Sequence, residues 1–110
     1  MSISLSNGTS SSILVAPATK TASTYTVSVN DYSLIFNSTS TITVTLPSAS
    51  ANNGKVFMFK NISTGTVVSA SSNVVPRTSA TAGTAILSGT AGSWAMLHSD
   101  GTNWVIMAGA

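Results

Sequence analysis

The sequence contains very few ionisable side chains. Only 5% of its 110 residues are charged, cysteine is absent and there is a single histidine, His98. A typical soluble domain carries about 25% charged residues. Glutamate is also absent, so the side-chain carboxylates are those of Asp31 and Asp100. These shortages exclude a disulfide framework, a thiolate metal site and a cysteine nucleophile.

The same shortage argues against catalysis. Glycoside hydrolysis generally needs two carboxylic acids flanking the scissile bond, and a metal site usually needs three or four ligands. His98, Asp31 and Asp100 are the whole supply, and Asp100 belongs to an Asp-Gly turn. No serine stands in a G-x-S-x-G motif, and the glycines of residues 81–92 follow no nucleotide-binding pattern. We therefore predict no catalytic, cofactor-binding or metal site, and no enzymatic activity.

Positive charge is equally sparse. The four cations Lys20, Lys55, Lys60 and Arg77 are scattered along the chain and give a formal net charge of +2. Nucleic-acid binding needs clustered cations, so we expect no nucleic-acid partner. No apolar run approaches the ~20 residues that span a bilayer, so we expect no membrane insertion. The first residues lack the basic region of a signal peptide, which predicts synthesis in the cytoplasm without export.

What the sequence does contain is alternation. Hydrophobic residues make up 43%, and most of the polar residues are 21 Ser, 16 Thr and 8 Asn. Segments 24–29 and 41–46 alternate apolar residues with Ser or Thr, the period of half-buried antiparallel strands. Further strands, several apolar on both faces, are predicted at 32–36, 55–59, 66–70, 84–88, 93–98 and 103–107, with weaker signals at 3–5 and 13–16. No helical periodicity is visible, so one all-β domain is expected, an antiparallel β-sandwich or jelly-roll-like domain.

Turn residues predict how these strands are joined. Asn30-Asp31 is expected to connect strands 24–29 and 32–36, and Pro47 to end strand 41–46. Asp100-Gly101 predicts a hairpin that places Trp94 and Trp104 on neighbouring strands, where aromatic side chains can pair. Residues 24–110 form the predicted β-sandwich domain. Residues 1–23 are either an N-terminal arm that packs on a neighbour or an ordinary first hairpin.

The composition also predicts association. Free β-domains protect their edges and surfaces with charge, and this chain has four cations for eight or nine strands. We therefore expect a subunit of a symmetric assembly whose surfaces are covered by other chains. The residues predicted at subunit or capsid interfaces are Ile3, Leu5, Ile13, Leu14, Val15, Trp104 and Met107.

Two stretches resemble a known family. YTVSVNDYSLIFNSTSTITVTLPSASANNGKVFMFKNIS (25–63) and SWAMLHSDGTNWVIM (93–107) are similar, in the order and spacing of their motifs, to the β-domain of bacteriophage tail-fibre and head-decoration proteins. The resemblance covers about residues 24–107. It implies a virion component, typically a homotrimer, with no cofactor and no catalytic residues.

Two roles follow from that resemblance. A head decoration (cement) protein would bind the major capsid protein and stabilise the head. A tail-fibre or spike tip would instead bind a host-surface glycan through loops such as 71–83. Within that loop Arg77 is either a recognition residue or a cation that keeps the surface soluble. A part of a longer fibre is a further possibility under the second role.

Overall fold

The computed structural model describes residues 16–110, which form ten short strands and one 3-10 turn. The strands are β1 (Ala18–Lys20), β2 (Thr24–Thr26), β3 (Ser33–Phe36), β4 (Ile42–Thr45), β5 (Val56–Asn61), β6 (Val67–Ser69), β7 (Val74–Val75), β8 (Ala85–Leu87), β9 (Trp94–Ser99) and β10 (Trp104–Gly109). The turn, Ser50–Asn52, is the sole helical element within this range. The predicted all-β class is confirmed.

The strands belong to two sheets. The order is β1-β3-β5-β9-β10-β7 in the six-stranded sheet and β2-β4-β6-β8 in the four-stranded sheet. From β1 to β6 the chain alternates between the sheets, so each strand lies parallel to the strand two before it. The first half of the described chain is therefore wound as a coil around the space between the sheets.

The second half of the chain closes the coil with antiparallel strands. Strand β8 pairs with β6, β9 with β5 and β10 with β9 in antiparallel fashion, whereas β7 is parallel to β10. Of the eight strand pairings within residues 16–110, five are parallel and three antiparallel. The predicted wholly antiparallel arrangement is wrong, because alternation reports which face of a strand is buried and not which strand lies beside it.

The turn at Asn30-Asp31 shows the same point locally. The Asp31 amide donates to the Ser28 carbonyl at 3.0 Å, and the Ser28 amide donates back to the Asp31 carboxylate at 2.9 Å. The chain reverses there as predicted. However, β2 and β3 belong to different sheets, so the turn connects the two sheets and does not form a hairpin.

The predicted hairpin at Asp100-Gly101 is confirmed. The Asp100 carboxylate accepts the Thr102 and Asn103 amides at 2.9 and 2.8 Å, and Gly101 has a φ of 90°. The register places Trp104 opposite Ser99. Trp94 lies at the other end of β9, where its backbone bonds to that of Ala110. The two tryptophans are thus on neighbouring strands but are not a cross-strand pair.

The inner faces of both sheets share one hydrophobic core. Its centre is aromatic: ring centroids of Phe36 and Phe59 are 5.2 Å apart, and those of Phe57 and Trp104 are 5.0 Å apart. The Trp104 indole also donates to the Pro47 carbonyl at 2.9 Å, which satisfies its polar atom. Trp104 has 0% of its surface exposed, so the structure places this predicted interface residue in the core.

Asn61 links the two sheets by hydrogen bonds. This side chain, at the end of β5, is 1% exposed. Its amide donates to the carbonyls of Gly65, before β6, and Ser88, after β8, at 2.8 and 2.9 Å. Its oxygen accepts the Ser63 amide at 3.0 Å. One buried side chain thereby joins the end of a strand in one sheet to the ends of two strands in the other.

Two strands were not predicted, and some predictions fall outside the described residues. Strands β1 and β7 carry weak patterns because they are only three and two residues long. Strand β1 lies within the segment 1–23 predicted as an arm or hairpin, and it pairs with β3 as part of the six-stranded sheet. The predicted strand 3–5 lies outside the described residues, as does 13–16 apart from Ala16, which is not in a strand.

Candidate interaction surfaces

The outer face of the six-stranded sheet is apolar. Along β9, buried residues alternate with half-buried ones, so within residues 16–110 the strands predicted to be apolar on both faces are fully covered on one face alone. Alternation and register place one set of apolar side chains on the uncovered side, which we call the outer face. Its larger apolar members are Ile35, Val56, Met58, Val75, Trp94, Met96, Val105 and Met107, the last in a β-bulge with 59% exposure.

The outer face is continuous across the central strands. Met58 on β5 lies opposite Met96 on β9, and Met96 lies opposite Ala108 on β10. Lys60, opposite Trp94, is the one charged side chain on this face among the described residues. Four strands about 4.8 Å apart and about 20 Å long give the face an area of roughly 400 Å². Every strand of residues 16–110 belongs to one of the two sheets, so no further sheet covers it.

The four-stranded sheet presents a different outer surface, which we call the threonine face. Thr24 on β2 lies opposite Thr43 on β4, and Thr26 lies opposite Thr45. Val68 on β6 continues the first of these rows. The hydroxyls of the threonine face can form hydrogen bonds with water, whereas the outer face has few groups that can do so. The two surfaces therefore differ in chemistry although they belong to one small molecule.

A cleft of about 240 Å³ opens at one end of the molecule. It is lined by the segment after β7, by β8 and the residue after it, and by residues of β9 and β10. These lining residues are Pro76, Arg77, Thr78, Ala85, Ile86, Ser88, Trp94, Ala95, Ile106, Gly109 and Ala110. Ile86, Ala95 and Ile106 belong to the core, so they give the cleft an apolar lining. We call this feature the Arg77 cleft, after its one charged side chain.

The carboxylates are engaged elsewhere. The Tyr25 hydroxyl donates to the Asp31 carboxylate at 2.6 Å. That hydrogen bond, together with burial and the negative charge of Asp31, raises the pKa of Tyr25 to about 12. The Lys20 ammonium lies 4.1 Å from the centre of the Tyr25 ring. This group of three side chains links β1 to β2 and the turn after β2, which is a structural role.

Asp100 also serves its own turn. The backbone amides of Asn103 and Thr102 hold the pKa of its carboxyl below the ordinary value. Within residues 16–110 no three His, Asp or Glu side chains gather as they would around a metal ion. His98 lies between Val56 and Val105 on the outer face. The two carboxylates therefore stabilise local structure within the described chain.

The predicted interface residues differ in where they lie. Met107 is exposed on the outer face, where a partner could contact it. Trp104 is in the core, and Ile3, Leu5, Ile13, Leu14 and Val15 lie outside the described residues. Sequence reasoning did not single out Met58 and Met96, which lie half-buried on the outer face. Apolar residues on both faces of a strand can mean burial by the same chain or by another, and the sequence pattern is the same in both cases.

No helix in the described part of the chain is both long enough and apolar enough to cross a membrane. Comparison with known proteins gives no match: no family model, no curated protein and no solved structure matches the chain.

Proposed function

We propose that the protein is a non-enzymatic structural component of a bacteriophage virion. It acts as a head decoration (cement) protein, a homotrimer that binds the major capsid protein. The observation that carries this proposal is the outer face of the six-stranded sheet, which is apolar and nearly without charge. The resemblance of residues 25–63 and 93–107 to virion β-domains supplies the biological setting.

The size of the outer face supports a covered surface. The largest apolar patches on monomeric proteins measure about 300–600 Å² and are often interaction sites. At roughly 400 Å², the face falls within that range, and it is continuous. A standard protein interface buries about 800 Å² on each partner. The face therefore supplies about half of one such interface, and we keep Ile3, Leu5, Ile13, Leu14 and Val15 as predicted further contributors.

The proposed architecture is a two-sheet sandwich. Its support is the single core shared by the inner faces of the two sheets. The coil of β1 to β6 makes the two sheets one unit, because successive strands alternate between them. Such a unit offers a rigid platform, and decoration consists of adding buried area across a shell that must resist internal pressure. That task needs complementary surfaces and no reacting groups.

The outer face can be tested by charge substitution. Met58→Lys with Met96→Lys places two ammonium groups opposite each other in the centre of the face. We expect the parent protein to have three times the mass of one chain by size-exclusion chromatography with light scattering. The double variant should have the mass of one chain, because burying unpaired charge is costly.

The matched control places the same charges on the threonine face. Thr43→Lys with Thr45→Lys should leave the trimer intact, and circular dichroism should show that both variants are folded. A parent protein that stays a monomer at micromolar concentration would overturn the homotrimer. Equal loss of the trimer in both variants would remove the outer face as its interface. Copy number completes the test, since a head decoration requires hundreds of copies per virion.

A second role is supported by a different feature. The Arg77 cleft and the neighbouring loop 71–83 fit a tail-fibre or spike tip that binds a host-surface glycan. Under this role the virion would contain a few to a few dozen copies. Adsorption of purified protein to host cells is expected for the tip and not for the decoration protein, so the two measurements separate the roles.

A further inference from the structure

The Arg77 cleft combines an apolar lining with one isolated cation. Ile86, Ala95 and Ile106 are core residues that reach the cleft, and each is less than 10% exposed. Arg77 lies in the segment just after β7 and is exposed. Small-molecule sites are typically concave and mostly apolar, with a few placed polar groups that fix orientation. The cleft has this character at a small scale.

Arg77 has no acidic partner within the described residues. Asp31 is bonded to Tyr25 and Ser28, and Asp100 is bonded to the amides of its own turn. No hydrogen bond joins the Arg77 side chain to another residue of the described chain. A guanidinium presents a planar fork of donors that matches a carboxylate. Neither acidic side chain of the described residues is placed to pair with Arg77, so its guanidinium is available to a carboxylate of a ligand.

The remaining lining residues narrow the class of ligand. Thr78 and Ser88 contribute exposed hydroxyl-bearing residues beside the apolar lining. At about 240 Å³ the cleft is smaller than the ~300–1,000 Å³ sites that hold drug-sized molecules. One sugar ring is a suitable size. An N-acylated acidic sugar has a group for each part of the cleft. Its carboxylate would pair with Arg77, its ring hydroxyls with Thr78 and Ser88, and its N-acyl methyl group would contact the apolar lining.

We propose that the Arg77 cleft binds a terminal N-acylated acidic monosaccharide through its carboxylate. This inference rests on the second proposed role, receptor binding, and specifies its ligand. Of the residues named on the outer face, the cleft shares Trp94 alone, and all its lining residues belong to one chain. Failure of the trimer and failure of the sugar site are therefore separate results.

The test is a titration of the isotope-labelled protein followed by two-dimensional NMR. The probes are N-acetylneuraminic acid, its methyl ester and hexanoate. The free acid should shift the amides of residues 77, 78, 86 and 95 with millimolar affinity. The ester should bind about tenfold or more weakly, because it lacks the charge that Arg77 pairs with. Hexanoate, an apolar acid without a sugar ring, should bind more weakly than the free acid.

Two variants assign the effect to Arg77. Arg77→Gln should weaken binding of the free acid to the level of the ester while leaving the rest of the spectrum unchanged. Lys60→Gln removes the same charge from the outer face and should bind the acid like the parent. Because Arg77 is exposed and has no partner in the described chain, its loss should not affect folding. A melting temperature matched to the parent's checks this.

Four outcomes would overturn the site. Two concern affinity for the free acid: it does not bind, or it binds no more tightly than its ester. The other two are that hexanoate binds as tightly as the sugar, and that the Arg77→Gln variant binds the free acid like the parent. Cell adsorption distinguishes these results from failure of the receptor role. If Arg77→Gln still adsorbs to host cells like the parent, the protein binds a receptor elsewhere.

Discussion

The two outward surfaces of this molecule are built by the same kind of strand and differ in what the strands display. The outer face of the six-stranded sheet carries Met, Val, Ile and Trp side chains, and the threonine face carries Thr24, Thr26, Thr43 and Thr45. Both sheets bury their inner faces in one core. Folding of a single chain requires only the inner faces to be apolar. An apolar outer face is therefore not required by the shared core, and it is the basis of the association proposed above.

The chemistry of the threonine face also bears on which surfaces of the molecule remain in contact with solvent. Threonine suits an exposed strand because its β-branched side chain is stiff in the extended conformation and its hydroxyl bonds to water. The threonine face is thus compatible with extended strands and with solvent, and it exposes little apolar surface for a partner to bury. Charge, the usual means of keeping strands apart, is scarcely used on either face.

The largest expected effect is the difference in the free energy of unfolding between a substitution in the shared core and one on the outer face. Trp104→Ala should lower the free energy of unfolding by about 3–5 kcal/mol, because it leaves a cavity beside Phe57. Trp94→Ala, on the outer face, should cost less than about 1 kcal/mol when the protein is dilute enough to be monomeric. Urea unfolding followed by circular dichroism measures both. Similar losses in the two variants would mean that the outer face is needed for folding itself.

The next effect concerns the link between the sheets. Asn61→Ala removes the three hydrogen bonds of a buried side chain and should cost about 1–3 kcal/mol in the free energy of unfolding. Asn37→Ala, the same substitution at an exposed position after β3, should cost less than about 0.5 kcal/mol. Urea midpoints for the two variants provide the comparison. If both were equally stable, the sheets would be held together by apolar contacts alone.

A smaller effect on stability should appear at alkaline pH, through the Tyr25 hydroxyl on β2. The pKa of Tyr25 is raised from 10.0 to about 12, so the folded state favours the neutral phenol. The stability from this bond is complete below pH 10.0 and is lost as the pH rises toward about 12. The melting temperature of the parent should fall over this interval more steeply than that of Tyr25→Phe. Parallel curves would show that the bond to Asp31 contributes nothing.

The smallest effect is expected on the threonine face. Thr43→Val with Thr45→Val keeps the β-branched shape and removes two hydroxyls. We expect the free energy of unfolding to change by no more than about 0.5 kcal/mol at each position and the mass by light scattering to stay that of a trimer. Formation of larger assemblies would show that the hydroxyls alone prevent this face from binding other copies.

Local chemistry in the sequence predicted a large part of the fold. Eight described strands lie within or overlap predicted segments, and the Asp100-Gly101 hairpin is correct because both of its strands and its turn are adjacent in the chain. The inward set Ile42, Val44 and Leu46 was also correct, because alternation with threonine leaves one possible buried face. In each of these cases the deciding interactions are between near neighbours.

Other features depended on distant residues and could not be read from a pattern. Gly65 appeared only as a turn residue. In the structure a Cβ there would clash with the Ser40 carbonyl oxygen, so this glycine permits two successive turns of the coil to touch. The Arg77 cleft likewise assembles residues from β8, β9, β10 and the segment after β7. Neither arrangement has a signal within any short stretch of sequence.

The sequence by itself determined that the chain is β-structured and that it is nearly without charge, because composition and a period of two residues are local properties. Only the tertiary structure decided that the strands run mostly parallel in a coil, that Trp104 is enclosed, and that Met58 and Met96 are at the surface. Pairing between strands is set by which surfaces meet across the core. That choice is a property of the whole chain.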